Sequence, residues 1–147
     1  MTNRRYKKQY KAVTLIELVI VMAIISIMAV LSWQSLQGAK QASFAENACQ
    51  ITAAAINKTR GYALSGKSAG TGCDGDNYFE VSVGSSVSIS GCGWHETIKI
   101  PNGASCFGDN IRFSVPFGNF AGGVEITCFS GTSKRKIEVD RYKATCL

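Results

Sequence analysis

Apolar and polar positions divide the chain into three stretches of different period. Leu18 to Leu31 reads LVIVMAIISIMAVL, in which Ser26 is the one polar residue of fourteen. With its flanks, Val13 to Trp33, the stretch is 21 residues long. At about 1.5 Å per residue that makes a helix of roughly 30 Å, enough to cross a bilayer. A helical period continues through QSLQGAKQASFAENACQITAAAINKTRGYAL, which is alanine-rich and precedes the first proline, Pro101. Phe44, Ala48, Ile51 and Ala55 recur at three- and four-residue steps, with Cys49, Thr52 and Ile56 as the adjacent stripe. This half of the helix is amphipathic and predicts a sheet to cover it. Gly38 and Gly61 each weaken the helix by about 1 kcal/mol relative to alanine, and Gly61 or Gly66 is the predicted end.

From Thr71 onward the period becomes alternating. Strands are predicted at Tyr78 to Val83, Val87 to Ser90, Thr97 to Ile100, Ile111 to Val115, Val124 to Phe129 and Lys136 to Asp140. Phe79, Val81 and Val83 share a face, as do Ile111, Phe113 and Val115, then Val124 and Ile126, then Ile137 and Val139. Gly84-Ser85-Ser86 predicts one hairpin turn and Gly118 to Gly123 another. The expected class is therefore α+β: a long N-terminal helix packed on a C-terminal antiparallel β-sheet domain of about 80 residues, small for a single core.

Charge sharpens the division. The chain holds 16 Lys and Arg against 10 Asp and Glu, but Arg4, Arg5, Lys7, Lys8 and Lys11 precede the apolar run in a segment without acids. Removing those five leaves eleven bases against ten acids, a net +1. The high pI is thus mostly a topology signal, holding the leader on the cytoplasmic side, and is no argument for a nucleic-acid partner. Glu17 is the anomaly, a carboxylate at the head of the apolar helix, where an ionised group costs free energy unless it is paired. No Lys or Arg lies between Val13 and Leu36. Cleavage before Val13 would create an α-amino group about one helical turn from Glu17, and in an array of identical helices that amine could equally reach a neighbour's Glu17.

The run Ala12, Val13, Thr14, Leu15, Ile16, Glu17, between a basic leader and an apolar helix, resembles the prepilin signature of the type IV pilin superfamily. Ala12 stands where glycine is commonest and Val13 where phenylalanine is, small apolar changes expected to slow processing rather than forbid it. The resemblance implies cleavage between Ala12 and Val13 by a prepilin peptidase, N-methylation at Val13, and assembly through Thr14, Leu15, Ile16 and Glu17. Implied partners are other pilin or pseudopilin subunits, that peptidase and an inner-membrane assembly platform. Further along, Ile111-Arg112-Phe113-Ser114-Val115-Pro116-Phe117-Gly118, Gly122-Gly123-Val124-Glu125-Ile126-Thr127 and Arg135-Lys136-Ile137-Glu138-Val139-Asp140 resemble the closing pattern of GspH/FimT-type minor pseudopilins. The alanine-rich run Ala53 to Ala63 sits where that group has one. The proline that kinks many pilin helices is missing, with Gln34 in that region, so the resemblance carries no kink over.

Six cysteines, Cys49, Cys73, Cys92, Cys106, Cys128 and Cys146, all lie beyond the apolar run. They lack the paired C-x-x-C spacing of zinc sites, which favours disulfides over metal. Cys73 and Cys92 bracket the first hairpin and Cys106 and Cys128 the second, leaving Cys49 to meet Cys146. Any topology other than nested hairpins reassigns all three pairs, and a free thiol packed as an apolar residue is the alternative at Cys49.

No catalytic residue, cofactor or metal site is predicted. His95 is the single histidine and reads as a surface residue near a turn. Asp74, Asp76, Asn77 and Glu80 superficially resemble a calcium loop but lack the spacing of one, and fit Asx-turn chemistry. Asn57-Lys58-Thr59 is a formal glycosylation sequon on a helix. Lys134, Arg135, Lys136, Arg141 and Lys143 form a basic patch. DNA binding is one reading of it, by resemblance to FimT-like pilins, and a solvated strand edge is the other.

The predicted organisation is a cytoplasmic leader at 1–12, a transmembrane and assembly helix at 13–33, an amphipathic continuation at 34–66 and an extracytoplasmic β-rich domain at 67–147. The chain reads as a structural subunit, a minor pilin or pseudopilin of a type IV pilus or type II secretion filament. It would be held single-pass in the inner membrane until assembled into the filament at the cell surface. The alternatives are a DNA-binding competence-type pilin and an uncleaved membrane-anchored binding domain.

Overall fold

Fifty consecutive residues without proline, rich in alanine and straight-chain side chains, favour one uninterrupted helix. In the computed structural model, which describes residues 14–66, 73, 77–101, 103–120 and 124–147, that helix is α1, Leu15–Ser65. Gly61 is carried inside it, and the end falls at Gly66, whose φ of 63° is the left-handed cap a glycine supplies most cheaply. The leader, the proposed cleavage site Ala12–Val13, and Asp74 and Asp76 lie outside the described residues.

The chain divides into two compact units, Met1–Gln37 and Gly38–Leu147. In the first, every large apolar side chain from Leu15 to Trp33 is exposed. The two hydroxyls within this run are satisfied by the helix itself: Ser26 Oγ donates to Met22 O at 2.8 Å and Ser32 Oγ to Met28 O at 2.9 Å. Such back-bonding lets a hydroxyl sit in apolar surroundings without an unpaired donor.

The second unit holds eight strands: β1 Tyr78–Val83, β2 Ser86–Gly91, β3 Trp94–Lys99, β4 Ser105–Phe107, β5 Ile111–Ser114, β6 Val124–Ser130, β7 Ser133–Val139 and β8 Ala144–Cys146. They form two antiparallel sheets of order β3-β2-β1-β5 and β4-β6-β7-β8. Phe79, Val81, Val87, Ile89, Ile111 and Phe113 of the first sheet and Ile126, Ile137 and Val139 of the second share one core with the α1 residues Ala48, Cys49, Ala53, Ala55, Ile56 and Ala63. The buried stripe of α1 is therefore made mostly of small residues, which brings the helix axis close to the strands. Phe44, expected on that stripe, lies at its margin and is 39 % exposed.

Two buried hydroxyls interrupt the stripe. Thr59 Oγ1 donates to Ala55 O at 2.7 Å, and Thr52 Oγ1 lies 3.3 Å from Cys106 Sγ. Because Cys106 is oxidised, its sulfur has no proton and Thr52 is the donor.

The disulfides are Cys49–Cys146, Cys73–Cys92 and Cys106–Cys128. The first ties β8 to α1. The third joins residues directly opposite in the β4–β6 register, with Cα atoms 3.9 Å apart. The second ends in the β2–β3 turn, where Cys92 and Gly93 have φ of 49° and 73°. Such two-residue turns suit the twist of a hairpin.

The expected hairpin across Gly118 to Gly123 is not formed. β5 pairs with β1 and β6 with β4 and β7, so this connection crosses from one sheet to the other. The cause is local. Pro116 has no N–H to continue a ladder, and the turn closes back on Ser114, with Gly118 N donating to Ser114 O at 2.7 Å and Ser114 N to Asn119 O at 3.0 Å.

Candidate functional site

The start of α1 is built by its first residues. Thr14 precedes the helix, and its Oγ1 accepts from Glu17 N at 3.3 Å while its carbonyl accepts from Glu17 N at 3.1 Å and Leu18 N at 3.2 Å. Thr14 is thus the N-cap and Glu17 the third helical residue, the T-x-x-E spacing of a capping box. A carboxylate in the first turn is also favoured by the helix dipole. As a lone carboxylate in the sequence, Glu17 shows only a charge in need of a partner. The spacing of Thr14 and Glu17 was the signal for a second, local role. The cap fixes the helix start at Leu15, two residues after the expected cleavage point, and every large apolar residue from there to Trp33 is exposed.

The basic residues of the C-terminal strands separate. Arg135 Nε donates to Glu46 Oε2 at 2.7 Å, and Glu46 also accepts from Gln50 Nε2 at 2.9 Å. The Arg135 guanidinium, then the Gln50 amide, hold the Glu46 carboxyl below its ordinary pKa. Lys136 pairs with Glu125. Arg141 and Lys143 are exposed beyond β7, where Arg60 donates to Tyr142 O and lies 5.9 Å from the Tyr142 ring. Lys134 is exposed on the tip side of β7. Five basic residues within ten positions of sequence therefore do not make one basic surface: two hold carboxylates and the others are divided between the two ends of β7.

A shallow groove of about 400 Å³ on the second sheet is lined by Val124, Glu125, Lys136, Glu138, Val139, Asp140 and Leu147. Its carboxylates outnumber its lysine, which makes it a poor anion site. Among the described residues no cluster of His, Cys, Asp and Glu has the arrangement of a metal site. His95 is exposed beside Thr97, and Glu80 is engaged by Asn110 at 2.9 Å and Arg112 at 3.5 Å. Asn57 of the formal sequon spends its side-chain amide on Ala144.

On the face of α1 toward β3, Lys58 Nζ meets Glu96 Oε1 at 2.5 Å and Tyr62 Oη donates to Glu96 Oε2 at 3.3 Å. The contact with Glu96, then with Tyr62, raises the Lys58 pKa, and Lys58 lowers that of Glu96. These contacts lock the helix to the edge strand of the first sheet and involve no residue poised for chemistry.

An apolar N-terminal helix whose later part packs on antiparallel sheets is the α+β architecture of a pilin-like protein. Residues 7–33 match the prokaryotic N-terminal methylation motif. That motif indicates prepilin-type processing, assembly with other pilin subunits and a structural role, and with the apolar helix it fits an inner-membrane anchored protein that enters a filament. No curated protein and no solved structure matches this chain.

Proposed function

We propose that the chain is a minor pilin or pseudopilin of a type IV pilus or type II secretion filament, cleaved between Ala12 and Val13 and methylated at Val13. Within that class the C-terminal strand sequences favour the GspH/FimT type. The observation that carries the reading is the methylation motif at residues 7–33, continuous with a helix capped at Thr14 whose apolar side chains are exposed. An exposed apolar run of this length needs lipid before assembly and neighbouring helices after it.

Glu17 then has two successive partners. In the waiting subunit it sits in the first turn of its own helix. In the filament it neutralises the amino terminus of an adjacent subunit and sets axial register. The four segments at 1–12, 13–33, 34–66 and 67–147 act in this reading as leader, membrane and assembly helix, spacer helix and extracytoplasmic domain, with an inner-membrane platform extracting the subunit. DNA binding is the weaker alternative, since Arg135 and Lys136 are engaged with Glu46 and Glu125.

The test is Glu17→Ala in cells that assemble the filament. Processed and membrane-inserted subunit, with little of it in sheared filaments, is the expected outcome. Wild-type incorporation of Glu17→Ala defeats the pairing role.

A further inference from the structure

The outer face of the second sheet carries a feature that assembly through α1 leaves unused. Phe107 and Phe129 stack with ring centroids 5.2 Å apart and planes 9° apart, and Phe107 is 62 % exposed. In the β6–β7 register Lys134 stands directly opposite Phe129. The ion pairs among the described residues are Lys58–Glu96, Arg112–Glu80, Arg135–Glu46 and Lys136–Glu125, so Lys134 and the exposed Lys40 take part in none of them.

The hairpin tip next to Lys134 is fixed in place. Gly131 has φ of 56°, and a Cβ there would come within 2.4 Å of Gln41 Cδ. Gln41 Oε1 accepts from both Thr132 N and Thr132 Oγ1 at 3.4 Å. The tip of the β6–β7 hairpin therefore sits on Gln41, beside Lys40 in the chain. Seven residues lie between Gln41 and Trp33, the end of the membrane-length apolar stretch, a tether of at most roughly 29 Å at full extension and much shorter as the helix it forms in α1.

A solvated strand edge accounts for a lysine but not for an exposed Phe107 stacked on a half-buried Phe129. Aromatic rings favour the headgroup level of a bilayer, and lysines are attracted to anionic lipid. We propose that Phe107, Phe129, Lys134 and Lys40 form an interfacial contact that rests on anionic phospholipid headgroups while the subunit waits in the membrane. The contact holds the globular domain against the bilayer and is given up when the subunit enters a filament. This rests on the membrane-inserted reading above.

The test uses the full chain in nanodiscs of phosphatidylcholine, with and without phosphatidylglycerol, doped with a gadolinium-chelating headgroup lipid. Amide signals of Phe107, Phe129, Thr132 and Lys134 are expected to be attenuated selectively in the anionic discs. Lys40→Gln and Lys134→Gln should each lower the ratio of docked to free domain by about fivefold, and added salt should lower it further. Attenuation no greater than at Ser88 of the other sheet, or equal in both lipids, overturns the proposal. So does a response of the same residues to duplex DNA or to further copies of the chain that is indifferent to lipid charge. An acyl-chain quencher reports insertion of Leu18 to Leu31 in the same discs. Failed insertion sinks the membrane reading and this contact together, whereas failed docking with insertion intact sinks the contact alone.

Discussion

Asn57 on α1 takes the place of a neighbouring strand for Ala144 on β8: its Nδ2 donates to Ala144 O at 3.1 Å and its Oδ1 accepts from Ala144 N at 2.9 Å. A single side-chain amide thus closes the backbone pairing at the open edge of the second sheet. Beside it, Cys49–Cys146 joins the same two elements covalently. The last strand is three residues long and pairs with β7 alone in its sheet, so these two ties to the helix hold it in place.

Asn57→Ala should therefore leave the Ala144 amide and carbonyl, in a residue 6 % exposed, without partners. Each buried unpaired group costs about 1–3 kcal/mol. Denaturant unfolding should show a loss of about 2–6 kcal/mol for the two groups together, with faster amide exchange at Ala144. Asn57→Asp, which keeps the acceptor and loses the donor, should fall between the two. A change below about 0.5 kcal/mol, the size of an ordinary surface substitution, would contradict this role.

Cys92 has φ of 49°, where a side chain is unfavourable by about 1 kcal/mol or more. Breaking the Cys73–Cys92 bridge as Cys73→Ser with Cys92→Gly should cost less stability than breaking it as Cys73→Ser with Cys92→Ser. The expected difference is about 1 kcal/mol, the backbone preference of glycine in that turn. Gly91 permits no such exchange, because a Cβ there would lie 2.4 Å from Tyr78 O and 2.8 Å from Phe79 Cα. Equal stabilities for the two double variants would show that the turn carries no backbone strain.

The Glu46 carboxyl is held below its ordinary value of 4.5 by Arg135 and then Gln50. A folded-state pKa below the unfolded one means that the pairing stabilises the fold at and above the ordinary carboxylate range. That stabilisation is lost as pH falls through the depressed pKa. The pair is solvent-exposed, so the effect is small and salt-sensitive. Glu46→Gln should flatten the acid limb of stability below about pH 5 and leave the neutral region nearly unchanged. Lys58 acts at the other extreme. Its pKa is raised above 10.5, so its contribution is complete below that value and fades as pH rises through the raised pKa. Carboxyl and ammonium NMR titrations of the two residues check both signs.

Thr14→Ala should remove the N-cap of α1 at about 1 kcal/mol, felt locally. Exchange of the Glu17 amide, which Thr14 accepts, should accelerate, and Thr14→Ser should restore it. Unchanged exchange in Thr14→Ala would mean that the helix start is set elsewhere.

Period and spacing made much of the fold legible. The amphipathic continuation and the strand at Tyr78 to Val83 follow from their helical and alternating periods, because each buries one face, and the apolar run follows from its unbroken apolar length. β4 and β8 were not legible. Three residues are too few to show a period, and their partners are chosen by tertiary contact. The β5–β6 connection was misread because Ile111, Phe113, Val124 and Ile126 alternate identically whether the strands pair with each other or lie in facing sheets. Asn57 resembled a sequon, and its role depends on a strand 87 residues away. At the N-terminus the charge of Glu17 is evident in the sequence, while the cap depends on where the helix begins, which the apolar run alone does not mark. The basic patch dissolved for a similar reason. Glu46, remote in sequence, and Glu125, across the β6–β7 hairpin, engage Arg135 and Lys136.

The central claim is that the chain is a processed filament subunit, and the mass of its N-terminal peptide from cell membranes tests it most directly. The account predicts a chain beginning at Val13 and carrying one N-methyl group, with the leader through Ala12 absent. Recovery of membrane-inserted protein that begins only at Met1, in cells with an active prepilin peptidase, would contradict it.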